Sequence, residues 1–168
     1  TSNDAVRYWV NDSTDGLWNN INNWASTSGG AGGATVPGSE DTVYFDANDT
    51  SDCTINAAVS VSNIITSSGY TGHINDATNN LAVTVSGDVT LDNTTVSLGS
   101  NTWTIGGNFD FADVTTLNHN NGTVLFSGTG SSKITASSDA LYNLTINGSG
   151  EWDVNAALAI ANDLLMTS

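Results

Sequence analysis

The clearest hydrophobic pattern in the chain runs from Leu81 to Phe111, where one short motif is written twice. Val83-Thr84-Val85-Ser86-Gly87-Asp88-Val89-Thr90-Leu91 lies over Trp103-Thr104-Ile105-Gly106-Gly107-Asn108-Phe109-Asp110-Phe111, with Gly87 on Gly107 and Asp88 on Asn108. The spacing is twenty residues throughout. Apolar residues fall on alternate positions, the period of a strand with one buried face, and each Gly-Asp or Gly-Asn step interrupts the run where the chain can bend. A third copy is expected near the end, with Leu158, Ile160, Leu164 and Met166 on Val83, Val85, Val89 and Leu91, and Asn162-Asp163 replacing Gly87-Asp88. Asn is the residue other than Gly that best accepts positive φ, so the exchange reads as a backbone requirement. A longer echo, at an offset of 80, sets Asn63-Ile64-Ile65-Thr66 against Asn143-Leu144-Thr145-Ile146 and His73-Ile74 against Asp153-Val154.

From Cys53 onward the pattern is strand, turn, strand, with strands expected near 53–55, 59–66, 71–75, 81–91, 95–98, 102–111, 114–117, 122–127, 132–135, 141–147, 151–154 and 157–166. Before that the texture differs. Val6 to Val10 reads as a strand, Leu17, Trp18, Ile21 and Trp24 follow helical spacing for a turn or two, residues 28–33 form a Gly-rich loop, and Asp41 to Asp46 reads as the next strand. The fold class is therefore all-β, a parallel β-solenoid of about seven coils, with an antiparallel β-sandwich or jelly roll as the alternative. The solenoid is preferred because a sandwich has no reason to repeat a Gly-Asp step at one fixed position. Residues 1–46 are expected to form a Trp-rich capping segment and residues 47–168 the repeats, in one continuous domain.

The N-terminal order Tyr8-Trp9-Val10, Trp18, Asn23-Trp24, a Gly/Ser loop, Val36-Pro37-Gly38 and Asp41-Thr42-Val43-Tyr44-Phe45-Asp46 resembles the opening of β-strand-repeat surface proteins of bacteria and phages. That group includes passenger-type adhesins and phage tail or fibre-associated chains. Gly122-Thr123-Val124-Leu125-Phe126-Ser127-Gly128-Thr129-Gly130 followed by Tyr142-Asn143-Leu144-Thr145-Ile146-Asn147-Gly148 is similar to repeats of the same proteins. The resemblance implies a right-handed solenoid headed by the Trp-rich segment, on a cell or virion surface, as a structural or adhesive module. It implies no particular ligand.

Composition narrows the functions. Fifteen Asp and two Glu face only Arg7 and Lys133 across 168 residues, a formal charge of -15. Such a chain cannot neutralise several phosphates, which disfavours nucleic acid and anionic membranes as partners. No long apolar run predicts membrane insertion, and Thr1-Ser2-Asn3-Asp4 has neither the basic start nor the apolar run of a signal peptide. Expected partners are neighbouring repeats or copies of itself, with cell-surface glycans as a further candidate. Cys53 is alone and reads as a small half-buried side chain.

Three groups carry candidate chemistry. The cluster of Trp9, Trp18 and Trp24 reads either as a hydrophobic cap on the solenoid end or as rings for stacking on sugars, while Trp152, beside Glu151 and Asp153, is expected to be exposed. The candidate carbohydrate contacts are thus Trp18, Trp24 and Trp152. Asn11, Ser13 and Asp15, followed by Gly16, form a degraded calcium-loop start without its twelfth-position Glu, so no cofactor is expected unless Ca²⁺ binds there. Asp46 to Asp52 is a second oxygen-rich turn. No catalytic residues and no enzyme are expected: a lyase would use Ca²⁺ with an Arg or Lys base, but Arg7 lies in the N-terminal strand and Lys133 near a Gly/Ser turn, and the pair Asp110 and Asp113 reads better as repeat and turn positions than as a hydrolase dyad.

Overall fold

The computed structural model describes residues 4–167. The N-terminal Thr1-Ser2-Asn3 and the final Ser168, included in the readings above, lie outside the described residues. The chain opens with β1 (Val6–Trp9), a 3-10 turn at Ile21–Asn23 and β2 (Trp24–Ala25), and then winds through about six coils. The first coil is β3 (Thr42–Phe45), β4 (Cys53–Thr54) and β5 (Val59–Val61); the second is β6 (Asn63–Thr66), β7 (His73–Asn75) and β8 (Val83–Val85). The third is β9 (Val89–Asp92), β10 (Thr95–Ser97) and β11 (Thr102–Ile105), and the fourth is β12 (Phe109–Asp113), β13 (Thr116–Asn118) and β14 (Thr123–Phe126). The last two coils have two strands each: β15 (Ser132–Thr135) with β16 (Asn143–Ile146), then β17 (Trp152–Val154) with β18 (Leu164–Met166).

Equivalent strands of successive coils pair in parallel and build three sheets. Sheet A runs β2-β1-β3-β6-β9-β12-β15-β17, sheet B runs β4-β7-β10-β13, and sheet C runs β5-β8-β11-β14-β16-β18. Among the described residues only β1 and β2 pair antiparallel. This is a parallel β-solenoid, and the sandwich alternative is set aside. Alternation explains the core: in β11 and β14, Trp103, Ile105, Val124 and Phe126 point inward and are buried, while Thr102, Thr104, Thr123 and Leu125 are partly exposed.

The twenty-residue repeat is a true coil repeat, because Val83 pairs with Trp103, Val85 with Ile105 and Val89 with Phe109. The long runs expected at 59–66, 81–91 and 102–111 are each two strands of different sheets, separated by a corner at Ser62, Ser86-Gly87-Asp88 or Gly106-Gly107-Asn108. The third copy is correct in kind but wrong in register. Through Trp103, Val124 and Leu144, Val83 stacks on Leu164 rather than Leu158. The echo at offset 80 is overturned as well, since Asn63–Thr66 lies in sheet A and Asn143–Ile146 in sheet C. Strand segments with the same alternation are interchangeable by sequence, and only the number of residues between corners assigns each to its sheet. The helical spacing at 17–24 yields only the 3-10 turn, because Leu17 forms a parallel bridge with Thr54 and Trp18 N–H donates to the Thr54 carbonyl at 2.9 Å.

Corner chemistry also differs from expectation. Gly87 and Gly107 do not have positive φ. Their corners stack directly on the coil beneath: Gly87 N–H donates to Ser62 O, and Gly107 N–H to Gly87 O, both at 2.8 Å. A Cβ on Gly107 would overlap Asp88 Oδ1 and come within 2.8 Å of the Gly87 carbonyl oxygen. Beside the glycines runs a ladder of side-chain acceptors. Asn63 Oδ1 accepts from Asp88 N–H at 2.8 Å, Asp88 Oδ1 from Asn108 N–H at 2.7 Å, and Asn108 Oδ1 from Lys133 N–H at 2.9 Å. Each Asx residue therefore closes a backbone donor of the next coil.

Candidate functional site

The tryptophans of the N-terminal segment turn inward. Trp9, Trp18 and Trp24 are 1%, 2% and 0% exposed. Trp24 packs edge-on against both Trp18 and Trp9, at centroid distances of 4.8 and 5.2 Å, and all three contact Phe45 of the first coil. The strand β2 holds Trp24 opposite Trp9. Trp24 Nε1 donates to the Trp18 carbonyl at 2.7 Å, and Trp9 Nε1 to the Ser51 carbonyl at 3.1 Å. Trp18 and Trp24 thus have no ring face for a sugar; they cover the first coil. Tyr70, at 0% exposure, extends the cluster and donates its hydroxyl to Ser51 O at 2.9 Å, and burial, more than the neighbouring charges, pushes its pKa up.

The loop containing Asn11, Ser13 and Asp15 is brought together, but its oxygens face its own donors. Asn11 Oδ1 accepts from Gly16 N–H at 2.9 Å. Asp15 Oδ1 accepts from Leu17 N–H at 3.0 Å, from Asn23 Nδ2 at 2.6 Å and from Ser13 Oγ at 2.8 Å, while its Oδ2 accepts from Asn20 Nδ2 at 2.6 Å. The Leu17 N–H first, and then the Asn23 side chain, hold the Asp15 carboxyl well below the usual carboxylate range. Asn23, fully buried beneath the loop, ties it to Trp24. The arrangement builds a turn. Among the described residues no group of three or more His, Cys, Asp or Glu is placed to hold a metal.

Trp152 lies in β17 and is half-buried, its ring 4.5 Å from Phe126 by centroids. Its indole N–H is buried without a partner. Beside it opens a cavity of about 550 Å³ lined by Ile146, Asn147, Gly148, Ser149, Gly150 and Met166. Trp152, Trp18 and Trp24 are not one site: the latter two close the first coil and Trp152 belongs to the last.

Other candidates have structural partners. Asp46, Asp49 and Asp52 accept from the backbone N–H groups of Asn48, Ser51 and His73. Asp110 Oδ1 accepts from Ala112 N–H at 3.2 Å, and Asp113 stands opposite Asp92 at a register shift of β12 on β9. His119 stacks on Tyr142 at 5.1 Å, and His73 Nε2 lies 2.8 Å from Ser97 Oγ on the outer face of sheet B. Cys53 is fully buried and its thiol pKa is raised by that burial, with Asp52 adding to it. Two features escaped the sequence reading. One is an outward pair, Tyr8 stacked on Tyr44 at 5.3 Å, for which alternation around buried Trp9 and Phe45 was the available signal. The other is the bare last coil, where Val154, Leu164 and Met166 are exposed.

Fold and corner chemistry define the chain as a β-solenoid repeat protein with an aromatic cluster over its first coil. No family model, no curated protein and no solved structure matches it. Among the described residues no helix is long and apolar enough to cross a membrane.

Proposed function

We propose that the chain is an extracellular structural or adhesive module of a bacterial surface adhesin or of a phage fibre or virion surface protein, and that it catalyses no reaction. The observation that carries this reading is where the specialised residues go. The corner glycines, the Asn63-Asp88-Asn108 ladder, the cap tryptophans and the Asp15 loop all hold backbone to backbone, which is what a stiff spacer requires. A surface with a formal charge of -15 favours solubility and discourages lateral pairing of copies. Immunolabelling of intact source cells or particles with antibody against the purified chain tests location: surface labelling supports the reading, and labelling only after lysis contradicts it.

A second reading, a carbohydrate-binding module, is favoured by the unpartnered indole N–H of Trp152 beside an open cavity with Asn147 and Ser149 on its wall. A glycan array separates the two. Saturable binding that disappears in Trp152→Ala, with the melting curve retained, supports sugar binding; the structural reading predicts no such binding.

A further inference from the structure

Sheet A turns one face to the core and the other outward, and on the outward face, where the cap joins the first coil, two phenol rings meet. β1 and β3 run in parallel with Tyr8 directly opposite Tyr44. The next residue of each strand, Trp9 and Phe45, points inward and is buried, while both tyrosines stay partly exposed. Their rings stack at 5.3 Å between centroids with planes 20° apart. Adjacent strands of a sheet lie about 4.8 Å apart, so the register keeps the two side chains neighbours as they turn. The other two tyrosines are placed differently. Tyr70 is fully buried and donates its hydroxyl to Ser51 O at 2.9 Å, and Tyr142 stacks on His119. Among the described residues Tyr8 and Tyr44 are the one stacked pair of tyrosines.

We propose that Tyr8 and Tyr44 form an oxidative cross-linking site, joined as dityrosine by a one-electron oxidant of the haem peroxidase class with hydrogen peroxide as the terminal electron acceptor. Each phenol gives up one electron and its hydroxyl proton to become a phenoxyl radical. The two radicals couple through a new bond between ring Cε carbons, ortho to the oxygens, and the hydrogen on each joined Cε then moves to its own ring's oxygen and restores the phenol. The net loss is two hydrogens, which reduce one hydrogen peroxide to two waters. Proximity favours this pair: radicals held side by side meet at an effective concentration that a second chain in solution does not reach, and copies that each carry -15 repel one another. The product fixes β1 to β3, and with them the tryptophan cap to the first coil. It supplies a covalent closure in a chain whose single cysteine, Cys53, is buried and free. Closing the loop between residues 8 and 44 takes freedom mainly from the unfolded chain, as a disulfide does. The inference goes beyond the proposed function, since neither surface location nor sugar binding enters it.

The test treats the dilute, full chain with a haem peroxidase and hydrogen peroxide. The monomer is expected to lose the mass of two hydrogens and to gain dityrosine fluorescence, and peptide mapping is expected to find the segment holding Tyr8 joined to the segment holding Tyr44. Tyr8→Phe and Tyr44→Phe each keep an aromatic ring in the stack but remove one phenoxyl, so each should keep the parent's melting curve and lose the fluorescence. The mapped peptide of the parent chain decides the matter even should a variant misfold. The cross-linked monomer should melt at a higher temperature than the untreated chain. Absence of the Tyr8–Tyr44 peptide, or fluorescence retained in both variants, overturns the inference. So does coupling found only in covalent dimers, which assigns the reaction to contacts between chains. An unchanged melting midpoint of the cross-linked monomer contradicts the stapling of cap to coil.

Discussion

A methyl group on Gly107 meets the coil beneath it, whereas one on Gly130 meets nothing within 4 Å. Both residues lie outside the positive-φ set, so the contrast is steric and not conformational. Gly107→Ala is expected to cost about 1–3 kcal/mol in urea unfolding, and Gly130→Ala to be neutral or to stabilise by about 0.4–1 kcal/mol through the unfolded chain. Asp15 gives the residue-scale pH dependence. Its folded pKa is depressed, so its contribution is complete above the usual carboxylate pKa of about 4 and is lost as pH falls below that value. Asp15→Asn should destabilise the chain at neutral pH and lessen the loss of stability below about pH 4, which thermal melts across pH will read. Truncation of the cap, Trp24→Ala, is expected to cost about 3–5 kcal/mol, because a fully buried ring leaves a void among Trp9, Trp18 and Phe45.

Among elements, the unit of cohesion is the corner as much as the strand. Strands here are two to five residues long, and the ladder from Asn63 through Asp88 and Asn108 to Lys133 stitches the corners between sheets C and A across four coils. Asp88→Ala removes the acceptor for Asn108 N–H and is expected to cost about 1 kcal/mol, while Asp88→Asn keeps an acceptor oxygen and should recover most of it; chemical denaturation of the two variants compares them. The Gly-Asp step was legible in the sequence as a corner because two copies stood twenty residues apart. Its physical basis was not, since a close approach between coils leaves no local mark that differs from a demand for positive φ. Register failed at the end of the chain for a related reason. Leu158, Ile160 and Leu164 alternate as well as Leu164 and Met166 do, and only the pairing with Leu144 and Ile146 selects between them.

At the scale of the molecule, parallel coils and an N-terminal aromatic closure were readable from alternation and the tryptophan spacing. The tryptophans that suggested a sugar site are buried because the first coil must be covered, and tryptophan is as fit for that as for stacking on a ligand. Exposure at Val154, Leu164 and Met166 was not readable, because these residues have the same pattern as their buried equivalents and differ only in having no coil above them among the described residues. The central claim is that the chain is a linear stack of parallel coils. It is tested most directly by spin labels on the outer row of sheet C, where Ser60, Thr84, Thr104, Leu125, Thr145 and Leu165 follow one another in register. Electron–electron distances from Ser60 should rise by one strand spacing, about 4.8 Å, for each coil crossed, giving about 19 Å to Thr145 and about 24 Å to Leu165. Distances that fail to increase from Thr145 to Leu165, or that change order along the row, would contradict the stack.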